Sequence, residues 1–96
     1  MTYSLEFKKS ALKEWNKLNH TVKQQFKKRL SERLENPHVP SAALSGEPNI
    51  YKIKFRQLGY QLVYSVSDKT VTVTIVAVSK RNKNAVYNIA LTRLDN

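Results

Sequence analysis

Residues 50–56 read Ile-Tyr-Lys-Ile-Lys-Phe-Arg, and this stretch indicates most directly how the chain folds. Apolar and basic residues alternate in it, and successive side chains of a β-strand point to opposite faces of the sheet. The first face would carry Tyr51, Ile53 and Phe55, and the second would carry Lys52, Lys54 and Arg56. The alternation therefore predicts a strand whose apolar face packs on helices. Its basic face is either simply solvated or a surface for a polyanion, because cations about 7 Å apart match the spacing of backbone phosphates.

Two further strands are predicted after this one. Gln57-Leu58-Gly59 is typical of a tight turn, and residues 60–66 alternate again. Residues 67–69 predict the next turn, and residues 70–78 are rich in the Val, Thr and Ile that strands favour. Three strands joined by short turns make an antiparallel meander.

The N-terminal part of the chain predicts a short strand and a helical hairpin. Tyr3, Leu5 and Phe7 alternate with polar residues, and the apolar period then becomes helical. The predicted caps of the two helices are Ser10 and Thr21. The predicted apolar rows are Leu12, Trp15 and Leu18 in the first helix, and Val22, Phe26, Leu30 and Leu34 in the second.

The rest of the chain is expected to form a loop and a terminal helix. Asn36-Pro37 ends the second helix, because Pro cannot continue the hydrogen-bond ladder. Residues 37–49 then form a loop anchored by Leu44, and a short helix begins near Asn84. The prediction is a single α+β domain over residues 1–96, in which the N-terminal strand and helical hairpin pack on an antiparallel β-sheet. The sheet is a meander of three strands plus the first strand.

Composition restricts the function more than any single motif does. The chain has 96 residues, no Cys, and 17 basic against 7 acidic residues, a formal charge of +10. Such an excess predicts an anionic partner, such as RNA, DNA or an acidic protein. No signal peptide or apolar run long enough for a membrane span is present, so we expect a cytoplasmic protein. We expect no metal or cofactor, because His20 and His38 read as exposed turn residues and the two glycines form no phosphate loop.

The side chains that remain available for catalysis are basic and phenolic, and such groups are sufficient to cleave RNA. The 2′-OH of RNA is its own nucleophile, so an enzyme need only remove that proton, stabilise charge on the phosphate and protonate the leaving oxygen. Residues of the right type are Lys52, Lys54, Arg56, Lys80, Arg81, Lys83, Tyr51, Tyr60, Tyr64 and Tyr87.

The whole chain resembles the RelE family of bacterial toxin ribonucleases. The matching stretches are residues 11–15 with 17–18, residues 51–54, residues 59–60 with 62–64, and residues 80–81 with 86–87. The resemblance implies helices on an antiparallel sheet and a metal-independent endoribonuclease. Such an enzyme cuts mRNA in the ribosomal A site by 2′-OH attack, leaving a 2′,3′-cyclic phosphate and a 5′-OH. It also implies an acidic antitoxin as partner, which can displace the terminal helix, with operator DNA bound only through that antitoxin.

The resemblance also implies roles for single residues. Tyr87 matches a general base that stacks on the message, and Arg81 matches a general acid or leaving-group stabiliser. Lys52 and Lys54 match lysines that stabilise the charge of the transition state. The expected substrate contacts are Arg56, Gln61, Lys80 and Lys83.

Gln61 departs from the family, because close relatives carry Arg after the Gly-Tyr of this strand. Ser45 departs as well, at a position that is usually basic. A glutamine still hydrogen-bonds a phosphate but brings no charge. The sequence therefore leaves three readings of the enzyme: a weaker nuclease, compensation by a neighbour such as Arg56, or an inactivated toxin.

Two further hypotheses belong to other functional classes. The first is a non-catalytic basic module that binds RNA or an acidic protein, which Gln61 favours. The second is a toxin of the same fold directed at another target, such as DNA gyrase. Arg81 and Tyr87 argue against the second, because gyrase-directed relatives generally lack this nuclease set.

Overall fold

The alternation at residues 50–56 produces the strand that it predicts, inside a mixed sheet with helices against one face. The computed structural model describes residues 2–44, 46, 48–80, 89–90 and 92–93. Within these ranges the strands are β1 (Ser4–Phe7), β2 (Ile50–Phe55), β3 (Tyr60–Ser67) and β4 (Thr72–Lys80). The helices are α1 (Lys9–Asn16) and α2 (His20–Glu35), and one turn of 3-10 helix, Pro40–Ala42, lies in the loop that follows. The α+β class and the predicted order of elements are confirmed.

The strand order across the sheet is β1-β4-β3-β2. The meander is confirmed, since β2 pairs antiparallel with β3 and β3 antiparallel with β4. The expectation of a wholly antiparallel sheet is wrong, because β1 runs parallel to β4. Alternation in a sequence specifies which face a residue occupies and carries no information on strand direction.

The main core lies between the helices and the first face of the sheet. Trp15 and Phe26 are buried at its centre, with ring centroids 6.1 Å apart, and the ring of Phe55 in β2 packs at a tilt against Phe26, with centroids 4.8 Å apart. The predicted row of α2 is confirmed for its first three residues, and Leu34 is partly buried against them. In α1 the prediction for Leu12 is wrong: it is 43% exposed, and Ala11 takes the buried position.

Both predicted helix caps are wrong. Lys8 is the N-cap of α1 and makes no capping hydrogen bond with its side chain, because an ammonium group can only donate; its backbone N–H donates to the carbonyl of Ile75 in β4. The helix thus begins as soon as the strand ends. Asn19 caps α2, and its side-chain oxygen accepts a 2.9 Å hydrogen bond from the N–H of Val22. Asn is as good an N-cap as Thr, so composition alone does not separate the two positions.

A second apolar cluster covers part of the opposite face of the sheet, where the sequence predicts only a basic surface. Its members are Leu44, Ile50, Val63, Val76, Ala77 and Ala90. Leu44 anchors the loop after α2, as predicted, and Ala90 brings the C-terminal part of the chain onto this face. Residues 89–90 and 92–93 are helical, whereas the predicted start of the helix at Asn84 lies outside the described residues.

The end of the sheet beside the β3–β4 turn is held by polar side chains. The buried Tyr64 hydroxyl donates to the carbonyl of Pro37 at 2.8 Å and accepts from Arg33 Nη1 at 2.9 Å. Burial raises the pKa of Tyr64 above its ordinary value, an effect that Arg33 partly opposes. These bonds attach the end of α2 and the start of the following loop to β3.

His38 belongs to the same polar network, so the expectation of an exposed turn residue is wrong for it. Its Nε2 lies 2.9 Å from Asp68 Oδ1 and its Nδ1 lies 2.8 Å from the Tyr51 hydroxyl. An ionised carboxylate only accepts hydrogen bonds, which places a proton on Nε2. The hydrogen bonds from His38 and then from Tyr3 hold the pKa of Asp68 below its ordinary value. His20, by contrast, is exposed at the start of α2, as predicted.

None of the helices among the described residues is long and apolar enough to cross a membrane.

Candidate nucleic-acid interface

β2 places Lys52 and Lys54 on the second face of the sheet, as its alternation predicts. Lys52 is paired with Val63 of β3, and Lys54 is paired with Gln61. Both lysines are half-buried, and both take part in interactions, so they are built into the protein rather than extended into solvent. Their positions on the strand keep the two cations about 7 Å apart along one face.

Gln61 lies at the centre of a row that crosses three strands. It is paired with Lys54 on one side and with Ser79 of β4 on the other, so these side chains are neighbours at strand spacing, about 4.8 Å. Gln61 faces the same side as the lysines, but it is only 2% exposed. Its side chain makes no hydrogen bond with any other described residue. In this conformation, therefore, the expected substrate contact at Gln61 is a buried amide.

Arg56 is exposed in the turn between β2 and β3, where it borders a cleft of about 320 Å³. The residues that line this cleft are Gln25, Lys54, Phe55, Arg56, Gln57 and Leu58. The turn closes through a 2.9 Å hydrogen bond from the N–H of Gly59 to the carbonyl of Phe55. Gly59 has a φ of +72°, a conformation that residues with a Cβ rarely adopt, so glycine is required to hold Arg56 beside Lys54.

Lys80 lies at the same end of the sheet but faces the helices. It is the exposed last residue of β4 and is paired with Tyr60. With Lys17 of α1 and Tyr60 it borders a second cleft, of about 380 Å³. The structure therefore brings Lys54, Gln61 and Arg56 together around one turn. Lys80 adds a positive charge at the same end of the sheet, on the face that packs on the helices.

The remaining predicted site residues, Arg81, Lys83 and Tyr87, lie outside the described residues. In the sequence they come after Lys80, the last residue of β4.

No cluster of His, Asp or Glu within the described ranges is placed to hold a metal ion. What these ranges offer is a set of cations around a buried amide, which is suited to binding phosphates.

Glu14 and Arg93 are residues near this site that sequence reasoning missed. Glu14 of α1 borders the cleft beside Lys80, and its carboxylate forms a 2.9 Å ion pair with Arg93. The two residues are 79 positions apart, so no local pattern connects them. One signal was available for Glu14 alone: it is the only acidic residue of α1.

Comparison with known proteins identifies the class. The family model of the ParE toxin of the type II toxin-antitoxin system, parDE, matches residues 5–85. The chain is also 48% identical to the mRNA interferase toxin RelE of Escherichia coli strain K12 over 94 residues, 98% of this chain and 99% of that protein. It therefore belongs to the RelE/ParE family of toxins from type II toxin-antitoxin systems.

Within that family, the solved structures that resemble the chain include several of RelE. A substituted form of E. coli toxin RelE in the free state superposes with a TM-score of 0.90 at 47% identity, covering 98% of this chain and 99% of that one. RelE in the intact E. coli RelBE toxin-antitoxin complex gives a TM-score of 0.80 at 48% identity, covering 84% and 99%. The family predicted from the sequence is confirmed.

Proposed function

We propose that this protein is the toxin of a toxin-antitoxin pair and a ribosome-dependent endoribonuclease. It cleaves mRNA in the ribosomal A site and so blocks translation in the cytoplasm. The observation that supports this most strongly is the 48% identity to an mRNA interferase along nearly the full length of both chains. The cations gathered around the β2–β3 turn are the independent physical support, because a phosphate backbone is what such a surface binds.

The proposed chemistry is 2′-OH attack on the adjacent phosphate, which gives a 2′,3′-cyclic phosphate and a 5′-OH. Tyr87 removes the 2′-OH proton, and Arg81 protonates or stabilises the leaving oxygen. Lys52 and Lys54 stabilise the charge that develops on the phosphate, which is commonly the largest contribution in such reactions. Their half-buried positions favour this role, because a cation held by surrounding structure needs little reorganisation during the reaction.

The remaining contacts with the mRNA are assigned to residues at the edge of this site. Arg56, Lys80 and Lys83 bind phosphates, and Gln61 donates hydrogen bonds to the substrate once it is uncovered. Gln61 brings no charge where relatives carry Arg, so the proposed activity is lower than that of a variant with Arg at this position.

The proposed partner is an acidic antitoxin, as the RelBE complex suggests for the related toxin. A charge of +10 on 96 residues is well suited to such a partner. The pair would bind operator DNA only through the antitoxin, and the free toxin would act on the ribosome, with its 16S rRNA, and on the mRNA.

Cleavage of mRNA on programmed ribosomes with an empty A site tests the proposal. The parent protein should cut ribosome-bound message and leave naked message intact. Gln61→Arg should cut faster, whereas Arg81→Ala should cut at least about a hundredfold more slowly. If neither the parent nor Gln61→Arg cuts, the protein is a binding module or acts on another target, and a gyrase supercoiling assay distinguishes these two outcomes.

A further inference from the structure

A carboxylate and a guanidinium close the open edge of β4 beyond the point where β1 ends. β1 accompanies β4 only as far as Ile75. The guanidinium of Arg93 donates two hydrogen bonds to the carboxylate of Glu14, from Nη1 to Oε1 at 2.9 Å and from Nη2 to Oε2 at 3.1 Å. The side chains of Arg93 and Glu14 are only 21% and 28% exposed, so this bidentate pair is partly shielded from water.

Each partner of this pair also bonds the backbone of β4. Arg93 Nη1 donates to the carbonyl of Val76 at 2.8 Å, and Glu14 Oε1 accepts from the N–H of Val78 at 3.1 Å. Val76 is the extra residue of a β-bulge, since Tyr64 is paired with Ile75 and the preceding residue of β3, Val63, is paired with Ala77. A bulge disrupts the ladder locally, and here side chains supply the bonds that a neighbouring strand would supply elsewhere. We call these four residues, Glu14, Val76, Val78 and Arg93, the edge clamp.

The edge clamp connects the two faces of the sheet. Glu14 belongs to α1, which packs on the first face, while Ala90, three residues before Arg93, is fully buried in the apolar cluster of the second face. Residues 81–88, which include the proposed Arg81 and Tyr87, are connected to the structure at one end by Lys80 of β4 and at the other by Ala90 and Arg93. Among the described residues of this C-terminal part, Arg93 alone makes an ion pair to another element.

We propose that Glu14 and Arg93 are positioning residues: the edge clamp fixes the C-terminal part of the chain on the sheet and so holds the residues of the proposed nuclease site in place. The positioning part of this inference rests on the proposed function. The anchoring part does not, and it is measured without RNA.

Thiol labelling tests the anchoring part. The chain contains no Cys, so Ala90→Cys places one thiol at a fully buried position whose exposure reports release of the C-terminal part. In this background, Arg93→Ala and Glu14→Gln should raise the rate of reaction with an aromatic disulfide reagent by about 10- to 100-fold, because charge-assisted bonds that oppose local opening are lost. Arg93→Lys, which keeps the charge but not the bidentate fork, should fall between them and the parent.

The exposed pair Arg29–Glu32 provides matched controls. Arg29 Nε and Glu32 Oε1 lie 4.0 Å apart, and the two side chains are 44% and 61% exposed. Arg29→Ala and Glu32→Gln should leave the labelling rate within about twofold, because such a pair contributes little. Urea unfolding of every variant separates local release from global unfolding. Equal labelling rates for the clamp and control variants would overturn the anchoring.

Single-turnover cleavage tests the positioning part with Ala90 restored. Arg93→Ala should lower the maximal rate by about tenfold or more while the ribosome concentration at half-maximal rate stays within about threefold. Arg93→Lys should recover part of the rate. If the thiol is released but the rate is unchanged, the positioning role is refuted. If the parent itself does not cleave, the proposed function fails, and the labelling result still decides whether the edge clamp anchors the chain.

Discussion

Gln61→Met should make the protein more stable, although it replaces a residue of the candidate site. The amide is 2% exposed and makes no hydrogen bond with the described residues, so none of them compensates for its removal from water. Burying an unsatisfied amide costs roughly 1–3 kcal/mol in protein mutational data. Met has nearly the same volume and no polar atoms to desolvate, so most of that cost should be recovered. We expect a gain of about 1–2 kcal/mol.

Urea unfolding followed by circular dichroism measures this gain directly, and thermal melting checks it. In a domain of this size, each kcal/mol corresponds to a shift of roughly 4–8 °C in Tm. Gln24→Met, at an exposed position of α2, is the matched control and should change stability by less than about 0.5 kcal/mol. Destabilisation by Gln61→Met of about 1 kcal/mol or more would refute the reasoning, because it would show that the amide has a partner.

The same variant has an expected effect on activity with the opposite sign. Methionine cannot donate a hydrogen bond to a phosphate, so Gln61→Met should cleave ribosome-bound mRNA more slowly than the parent. A variant that is more stable and less active would show that the amide is kept at this buried position for function, at the expense of stability.

Three more predictions concern single side chains. Tyr87→Phe should slow single-turnover cleavage by about a hundredfold or more with an unchanged melting curve, and an unchanged rate would exclude the tyrosine as the base. Tyr64→Phe should destabilise by about 1–3 kcal/mol in urea, because it leaves buried groups without their hydrogen bonds, whereas Tyr60→Phe, only partly buried, should change stability by less than about 0.5 kcal/mol. Asp68 has a pKa lowered by His38, so it stabilises the fold above its ordinary value of 3.8 and loses this effect as the pH falls through the lowered pKa. Asp68→Asn should therefore unfold with a weaker acid dependence below about pH 4, and identical acid profiles of parent and variant would contradict this assignment.

Local patterns in the sequence predicted the elements well because each pattern depends on near neighbours. The alternation of residues 50–56 gave the correct face for Ile53, and the helical period of α2 gave the buried Val22, Phe26 and Leu30. The prediction was less accurate where a local rule competes with a distant contact. The strand predicted over residues 70–78 from its Val, Thr and Ile content did not include the bulge at Val76, which puts two consecutive residues on the second face.

The site was predictable in its residue types and less so in its surroundings. Lys52 and Lys54 occupy the face expected of them, because their position depends only on the strand. The burial of Gln61 depends on what covers that face, and Ala90, which packs on the same face, lies 29 positions further along the chain. The pairing of Glu14 with Arg93 depends on the whole topology, and a single sequence contains no signal for it.

Stability and proposed function are concentrated at opposite ends of the same strands. At the β3–β4 end of the sheet, Tyr64 and His38 connect α2, the following loop, β2 and the turn at Asp68 through hydrogen bonds of 2.8–2.9 Å. At the β2–β3 end Phe55 still packs against Phe26, but the side chains of the candidate site are cations and an amide that no described residue hydrogen-bonds. Ligand-binding regions are commonly drawn from the less stable parts of a fold, so this asymmetry is expected of a toxin that must present its charges to RNA. It also explains why the edge clamp lies where it does: Glu14 and Arg93 provide the candidate end with a fixed point that its cations cannot supply.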